Sequence, residues 1–286
     1  MNNILNKKAF SMVEVVFVIL ILGIVVSIGS EIIADVYRSY ILERATHRSS
    51  IKTELSATQI SNRLSYSIPG TVIGRKSSDG SYRSISSLDS SDYDVLEWIG
   101  YDNDSFSAQI TPGWSGFIDL DASSATQLKS NGSDIDKADT IISNLGGGGI
   151  GDAGLFFAGQ YTANNVGYGG DASGVITVAS TSSNDIFDVN IPAGTTVSEH
   201  YKLAWSAYAL VPIDNGDDSF NLNLYYNYKP WKGESYSDGS VQVLVRNVTV
   251  FKFVGSDTTI RFKICQRERI TNEKNITICK EKAVIR

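Results

Sequence analysis

"KKAFSMVEVVFVILILGIVVSIGS", Lys7 to Ser30, places two lysines before a nearly continuous apolar run from Phe10 to Gly29, and inside that run stands a single carboxylate, Glu14. At about 1.5 Å per residue a helix of this length crosses the hydrocarbon core of a bilayer. A charge within such a helix costs roughly 2.5–3.5 kcal/mol on insertion scales, so Glu14 calls for a role that offsets it. A plain membrane anchor fits the length, and a secretory signal peptide fits it too, with Ser27-Ile28-Gly29 as a small-x-small cleavage site. Neither reading accounts for Glu14.

Downstream, apolar residues recur near a 3.6-residue period at Ile32, Ile33, Val36, Tyr37, Tyr40, Ile41, Ala45, Ile51, Leu55, Ile60 and Leu64, with no Pro or Gly from Ser30 to Ile68. Pro69-Gly70 ends the pattern. The expectation is one helix from Phe10 to about Ser67, half in the membrane and half laying an amphipathic stripe against a sheet. A coiled-coil dimer fits less well, because Arg44, Arg48 and Lys52 keep no strict flanking positions along an apolar seam.

The chain of 286 residues is 20% charged with a formal net charge of −6, and loss of a leader holding Lys7 and Lys8 makes it more acidic still. This balance excludes nucleic acid as the default partner. After the helix, Ser, Gly, Asp, Asn and Tyr abound and the apolar runs are short, which reads as a β-rich exported domain. Asp94–Gly100 reads as a first strand or hairpin edge, and "TPGWSGFIDL" from Thr111 as a turn followed by an alternating strand through Trp114, Phe117, Ile118 and Leu120. A low-complexity Ser/Asn/Asp tract follows. "NLGGGGIGDAGLFFAG" lacks the Gly-Lys-Ser/Thr of a phosphate loop and reads as a loop entering a buried strand at Leu155-Phe156-Phe157. From Tyr201, "YKLAWSAYALVPI", "SFNLNLYYNYKPW", "SVQVLVRNVTVFKFVG" and "TTIRFKICQ" form a four-segment antiparallel meander joined by hairpin connectors.

Cys265 and Cys279 are the only cysteines. In an exported domain the simplest use of such a pair is one disulfide. No metal site is expected, because His47 and His200 lack ligand-like neighbours, and no cofactor motif is present. The acidic stretches Asp102–Ser105 and Asp214–Ser219 lack the full calcium loop and read as hairpin turns. Asn131, Asn247 and Asn275 open glycosylation-type triplets. Between Arg261 and Arg286 stand eight Lys or Arg against three Glu, either a solvated hairpin or a docking patch for an acidic neighbour. No arrangement of nucleophile, base and carboxylate suggests an enzyme.

Lys7-Lys8-Ala9 followed by Phe10-Ser11-Met12-Val13-Glu14 resembles the N-terminal signal of the type IV pilin and type II secretion pseudopilin superfamily. In that signal a short basic leader ends in a small residue, and a Glu stands fifth after the cut. The residue before the cut is usually Gly, and here it is Ala9. The resemblance implies an α+β, pilin-like fold: a long N-terminal helix packed on an antiparallel β-sheet. It divides the chain into a leader (1–9), a membrane half of the helix (10–30), an amphipathic half (31–68) and a β-rich globular domain (69–286). It implies cleavage between Ala9 and Phe10 by a prepilin peptidase and N-methylation of Phe10. Glu14 becomes an assembly residue that pairs with the Phe10 amine of a neighbour. The implied partners are other pilin or pseudopilin subunits and an inner-membrane assembly platform. The implied location is the bacterial inner membrane, single-pass, with the globular domain in the periplasm or carried on a filament. The late "LVRNVTVFKF…TTIRFKI" run is similar to minor subunits of the J or W kind, and the Cys265–Cys279 loop to the C-terminal disulfide loop of many type IV pilins. A reading from another class is a single-span envelope adhesin or binding protein, whose site is the aromatic-rich stretch Tyr225–Tyr236. A DNA-uptake role would call for a basic surface, which only the C-terminal stretch offers.

Overall fold

Helix α1 runs without interruption from Met12 to Ser65, 54 residues, or about 81 Å at the helical rise. It stops where the Ser67 hydroxyl and backbone N–H both turn back to the Leu64 carbonyl, ahead of Pro69-Gly70. The computed structural model describes residues 11–90, 92–256, 258–270 and 275–285. These fall into two units. One holds α1 up to Ser49 with residues 268–270 and 275–276; the other holds the chain from Ser50 to Arg267 with residues 277–285.

In the first unit the apolar stripe is uncovered. Every residue from Met12 to Ile41 except Gly29 is exposed. In the second unit the helix does pack, through a face shifted from the expected one. Thr53, Ala57, Ile60 and Leu64 are buried, whereas Ile51 and Leu55 face solvent. The three-to-four-residue spacing of the buried set defines the face.

The second unit holds two antiparallel sheets. Strands β1 (Ile73–Arg75), β2 (Tyr82–Ser84) and β3 (Val95–Gly100) precede a one-turn helix α2 (Asn103–Phe106), then β4 (Gln127–Lys129) and helix α3 (Ile135–Asn144). Next come β5 (Gly154–Phe157), β6 (Ile176–Ser183), β7 (Ile186–Asn190), β8 (Tyr201–Ala204), β9 (Ser206–Asp214) and β10 (Phe220–Tyr228). The last are β11 (Ser240–Gly255), β12 (Thr259–Arg269) and β13 (Asn275–Ile285). The larger sheet has the order β13-β12-β11-β10-β9-β3-β1-β2, and the smaller the order β4-β7-β6-β5-β8. The C-terminal meander thus forms, but on an architecture of two sheets rather than one.

Side-chain alternation joins these layers. On β3, Leu96 and Trp98 turn to the α1 face, where Ala57, Ile60 and Leu64 meet Leu222, Val248 and Phe262. Val95 and Ile99 turn the other way, into a second core with Ala207, Ala209 and Phe156. On β5, Phe156 joins that second core, while Leu155 and Phe157 join Ile135, Ala138 and Ile142 of α3 in a third.

Several local expectations are corrected. β3 is interior and buried along its whole length, neither a first strand nor an edge. "YKLAWSAYALVPI" divides at Trp205 between β8 of the small sheet and β9 of the large one. Asp102–Ser105 is not a hairpin turn: Asp102 caps α2 by accepting the Ser105 N–H at 3.1 Å. "TPGWSGFIDL" forms no regular strand, only isolated bridges from Phe117 to His200 and from Asp119 to Lys129. The low-complexity tract contains α3, whose N-cap is Asp134. The glycine run after α3 is a turn. Gly149 has φ +86°, and a Cβ there would strike the Asp139 carboxylate that accepts the Ile150 N–H.

Candidate functional site: the exposed helix and its early carboxylate

Ala9 and Phe10, the expected processing pair, lie outside the described residues. From Ser11 onward the geometry is explicit. Its carbonyl and its hydroxyl both accept the Glu14 N–H, at 3.1 and 3.3 Å, so Ser11 acts as the cap that starts α1. Glu14 stands in the first turn, where a carboxylate also suits the positive end of the helix dipole. Its side chain is exposed, and no other charged residue occurs between Met12 and Ser30. By length and composition α1 contains a segment able to cross a membrane, consistent with single-pass anchoring. The arrangement can do one thing chemically: present a lone carboxylate on an otherwise apolar surface to a donor brought by another molecule.

Cys265 on β12 and Cys279 on β13 are joined by a disulfide, 14 residues apart in sequence. The basic excess near the C-terminus is partly engaged within the chain. Lys280 and Lys282 both pair with Glu54 of α1, and the Lys282 hydrogen bond, more than any other influence, holds the Glu54 carboxyl below its ordinary value. Arg267 donates to the Asp217 and Asp218 carbonyls at 2.9 and 3.1 Å. Among the described residues Arg261, Lys263 and Arg269 remain exposed, while Lys274 and Arg286 of the same stretch lie outside the described residues.

The aromatic stretch Tyr225–Tyr236 is largely structural. Tyr228 is fully buried, Trp231 is 5% exposed, and Trp231 donates its indole N–H to the Asp152 carbonyl at 3.2 Å. It is not the open aromatic surface it reads as. Asp214–Ser219 is a connector closed by the Asn215 N–H to Ser219 carbonyl bond. His47 and His200 are far apart in sequence and both exposed, and among the described residues no three His, Cys, Asp or Glu are grouped to hold a metal.

A buried polar cluster is absent from the sequence expectations. On β1 and β3, Arg75 Nε donates to Glu97 at 2.8 Å, and the Tyr228 hydroxyl donates to the other Glu97 oxygen at 3.0 Å. The guanidinium sits over the Tyr82 and Tyr168 rings. Burial pushes the Glu97 carboxyl up, with Arg75 and Tyr228 opposing; burial also works against the Arg75 charge, but Glu97 holds it above its ordinary value. Arg75 and Glu97 are 22 residues apart in no motif, and only the β1–β3 pairing brings them together. No family model, curated protein or solved structure matches this chain.

Proposed function

We propose that the chain is a minor pilin or pseudopilin, a structural subunit that assembles through its N-terminal helix into a short filament or its initiating complex. The observation that carries this reading is the exposed surface of α1 from Met12 to Ile41, which is apolar as far as Ser30 except for one carboxylate in its first turn. A surface of this size is unstable in water; the first part suits lipid, and in a filament the remainder suits the same helix of neighbouring subunits. Within such a bundle a lone carboxylate must meet a positive partner, and the Phe10 amine released by cleavage after Ala9 is the group that supplies it. The partners on this reading are a prepilin peptidase, other pilin-like subunits and an inner-membrane platform. The globular domain lies in the periplasm.

Intact-mass analysis of membrane-extracted protein tests maturation: the expected N-terminus is Phe10, methylated. A start at Ser30, or an intact Met1, would overturn the assignment. Glu14→Val tests assembly. The variant should still insert and be processed, because removing a charge from a membrane helix is favourable by itself, but crosslinked partner subunits should be lost. Capture equal to wild type would refute the role given to Glu14.

A further inference from the structure

A cleft of about 320 Å³ opens beside the C-terminal turns of α1, where β3 ends and α2 begins, entirely within the second unit. Its volume falls in the lower range of small-molecule sites, roughly 300–1,000 Å³. Four aromatic side chains line it: Tyr66, Tyr101, Trp205 and Tyr208. Tyr66 and Tyr101 meet edge to face at 5.6 Å, and Tyr208 is backed by Trp98, stacked at 5.7 Å. The rings are therefore held in place before anything binds. Tyr66 is 40% exposed, which leaves it open to a ligand.

The polar groups of the same cleft are of a particular kind. Gln59, Asn62 and Asn103 contribute side-chain amides, each able to donate and accept. Asp102 is 3% exposed; one of its oxygens caps α2, and the Trp205 side chain also hydrogen-bonds its carboxyl. Burial pushes that carboxyl up, with the Ser105 contacts opposing. The charges are mixed. Asp102 and Asp104 line the cleft together with Arg63, whose guanidinium lies 5.8 Å from the Tyr208 ring centroid.

We propose that this cleft binds a neutral pyranose ring, the terminal or internal sugar of a glycan. A pyranose presents an apolar C–H face, which matches the exposed Tyr66 ring, and hydroxyls that both donate and accept, which match the side-chain amides. A cationic ligand is disfavoured by Arg63 and an anionic one by Asp102 and Asp104, so the neutral ring is the class that meets every wall without repulsion. The site does not depend on the filament reading, and either can stand without the other.

The test is saturation-transfer NMR on the full chain in a zwitterionic, sugar-free detergent. The probes are the methyl pyranosides of glucose, galactose, mannose and N-acetylglucosamine, with N-acetylneuraminic acid and tetramethylammonium beside them. At least one neutral pyranoside should receive saturation at its ring C–H protons. That signal should fall to the protein-free background in Tyr66→Ala and in Asn62→Ala, two exposed positions where substitution leaves the core intact. Far-UV circular dichroism and an intact disulfide verify the fold of each variant. No transfer to any neutral pyranoside would overturn the proposal, as would equal transfer in both variants, or transfer confined to the acidic sugar or the cation.

Discussion

At the scale of single residues, the Arg75–Glu97 pair is the most consequential charge inside the molecule. Its side chains are 15% and 1% exposed, so neither can fall back on water. Breaking such a pair by removing one partner typically costs about 3–5 kcal/mol, because the survivor is left buried and uncompensated. Arg75→Met should therefore lower unfolding stability by about that amount, read from denaturant titration of the detergent-solubilised chain. Replacing both partners, as Arg75→Met with Glu97→Leu, should recover most of the loss. It should not recover all of it, since the fully buried Tyr228 hydroxyl then loses its acceptor, a penalty of about 1–3 kcal/mol. A double variant as unstable as the single one would show that packing, and not charge, sets the cost.

Among the elements, β13 shows how an edge strand is fastened. It ends the larger sheet, so only one of its two edges is paired. Two devices hold it: the Cys265–Cys279 bond to β12, and the clasp of Lys280 and Lys282 on Glu54. The disulfide should be worth about 3 kcal/mol on the chain-entropy model. Because the Glu54 carboxyl is held below its unfolded value of 4.5, its contribution is present above that pH and is lost as pH falls through the lower folded value. Cys265→Ser with Cys279→Ser should therefore speed amide exchange along β13 first, and acidification below 4.5 should speed it further in that variant. Uniform exchange across the sheet would contradict this order. The meander β9 to β12 was legible in sequence because its runs alternate and are bounded by turn residues. α3 was legible in principle: Asp134 before Ile135, Ala138 and Ile142 is a capped helical pattern, hidden by the polar residues around it. The division of β8 from β9 was not legible, since Trp205 interrupts no apolar pattern. The face of α1 that packs was misjudged because Thr53 and Ala57 are buried for their small size, which lets the sheet approach, while the larger Ile51 and Leu55 stay outside. The polar half of the sugar-sized cleft comes from two separated segments, Gln59 to Arg63 and Asp102 to Asp104, and nothing local in either of them marks it.

For the whole molecule, the proposed anchoring leaves two orientations for the C-terminal domain, and local charge alone does not select between them. Lys7 and Lys8 precede the apolar run, but Arg38, Arg44 and Arg48 follow within the distance over which basic residues bias orientation. The two sides are nearly balanced. The disulfide supports the proposed placement, because such bonds form and persist in oxidising compartments. The domain from Ser50 should therefore face outward and the leader inward. In cells with a permeabilised outer membrane and an intact inner membrane, added protease should degrade the C-terminal domain, and thiol alkylation should leave both cysteines unmodified. Since the charge bias is small, Lys7→Glu with Lys8→Glu should tip a fraction of molecules into the reverse orientation. In that fraction the two readouts must change together: protection from protease, and two alkylated thiols. Protected protein with an intact disulfide, or digested protein with free thiols, would separate topology from oxidation and refute the argument. Wild-type protein that is fully protected and fully alkylated would reverse the orientation outright, and with it the proposed periplasmic placement.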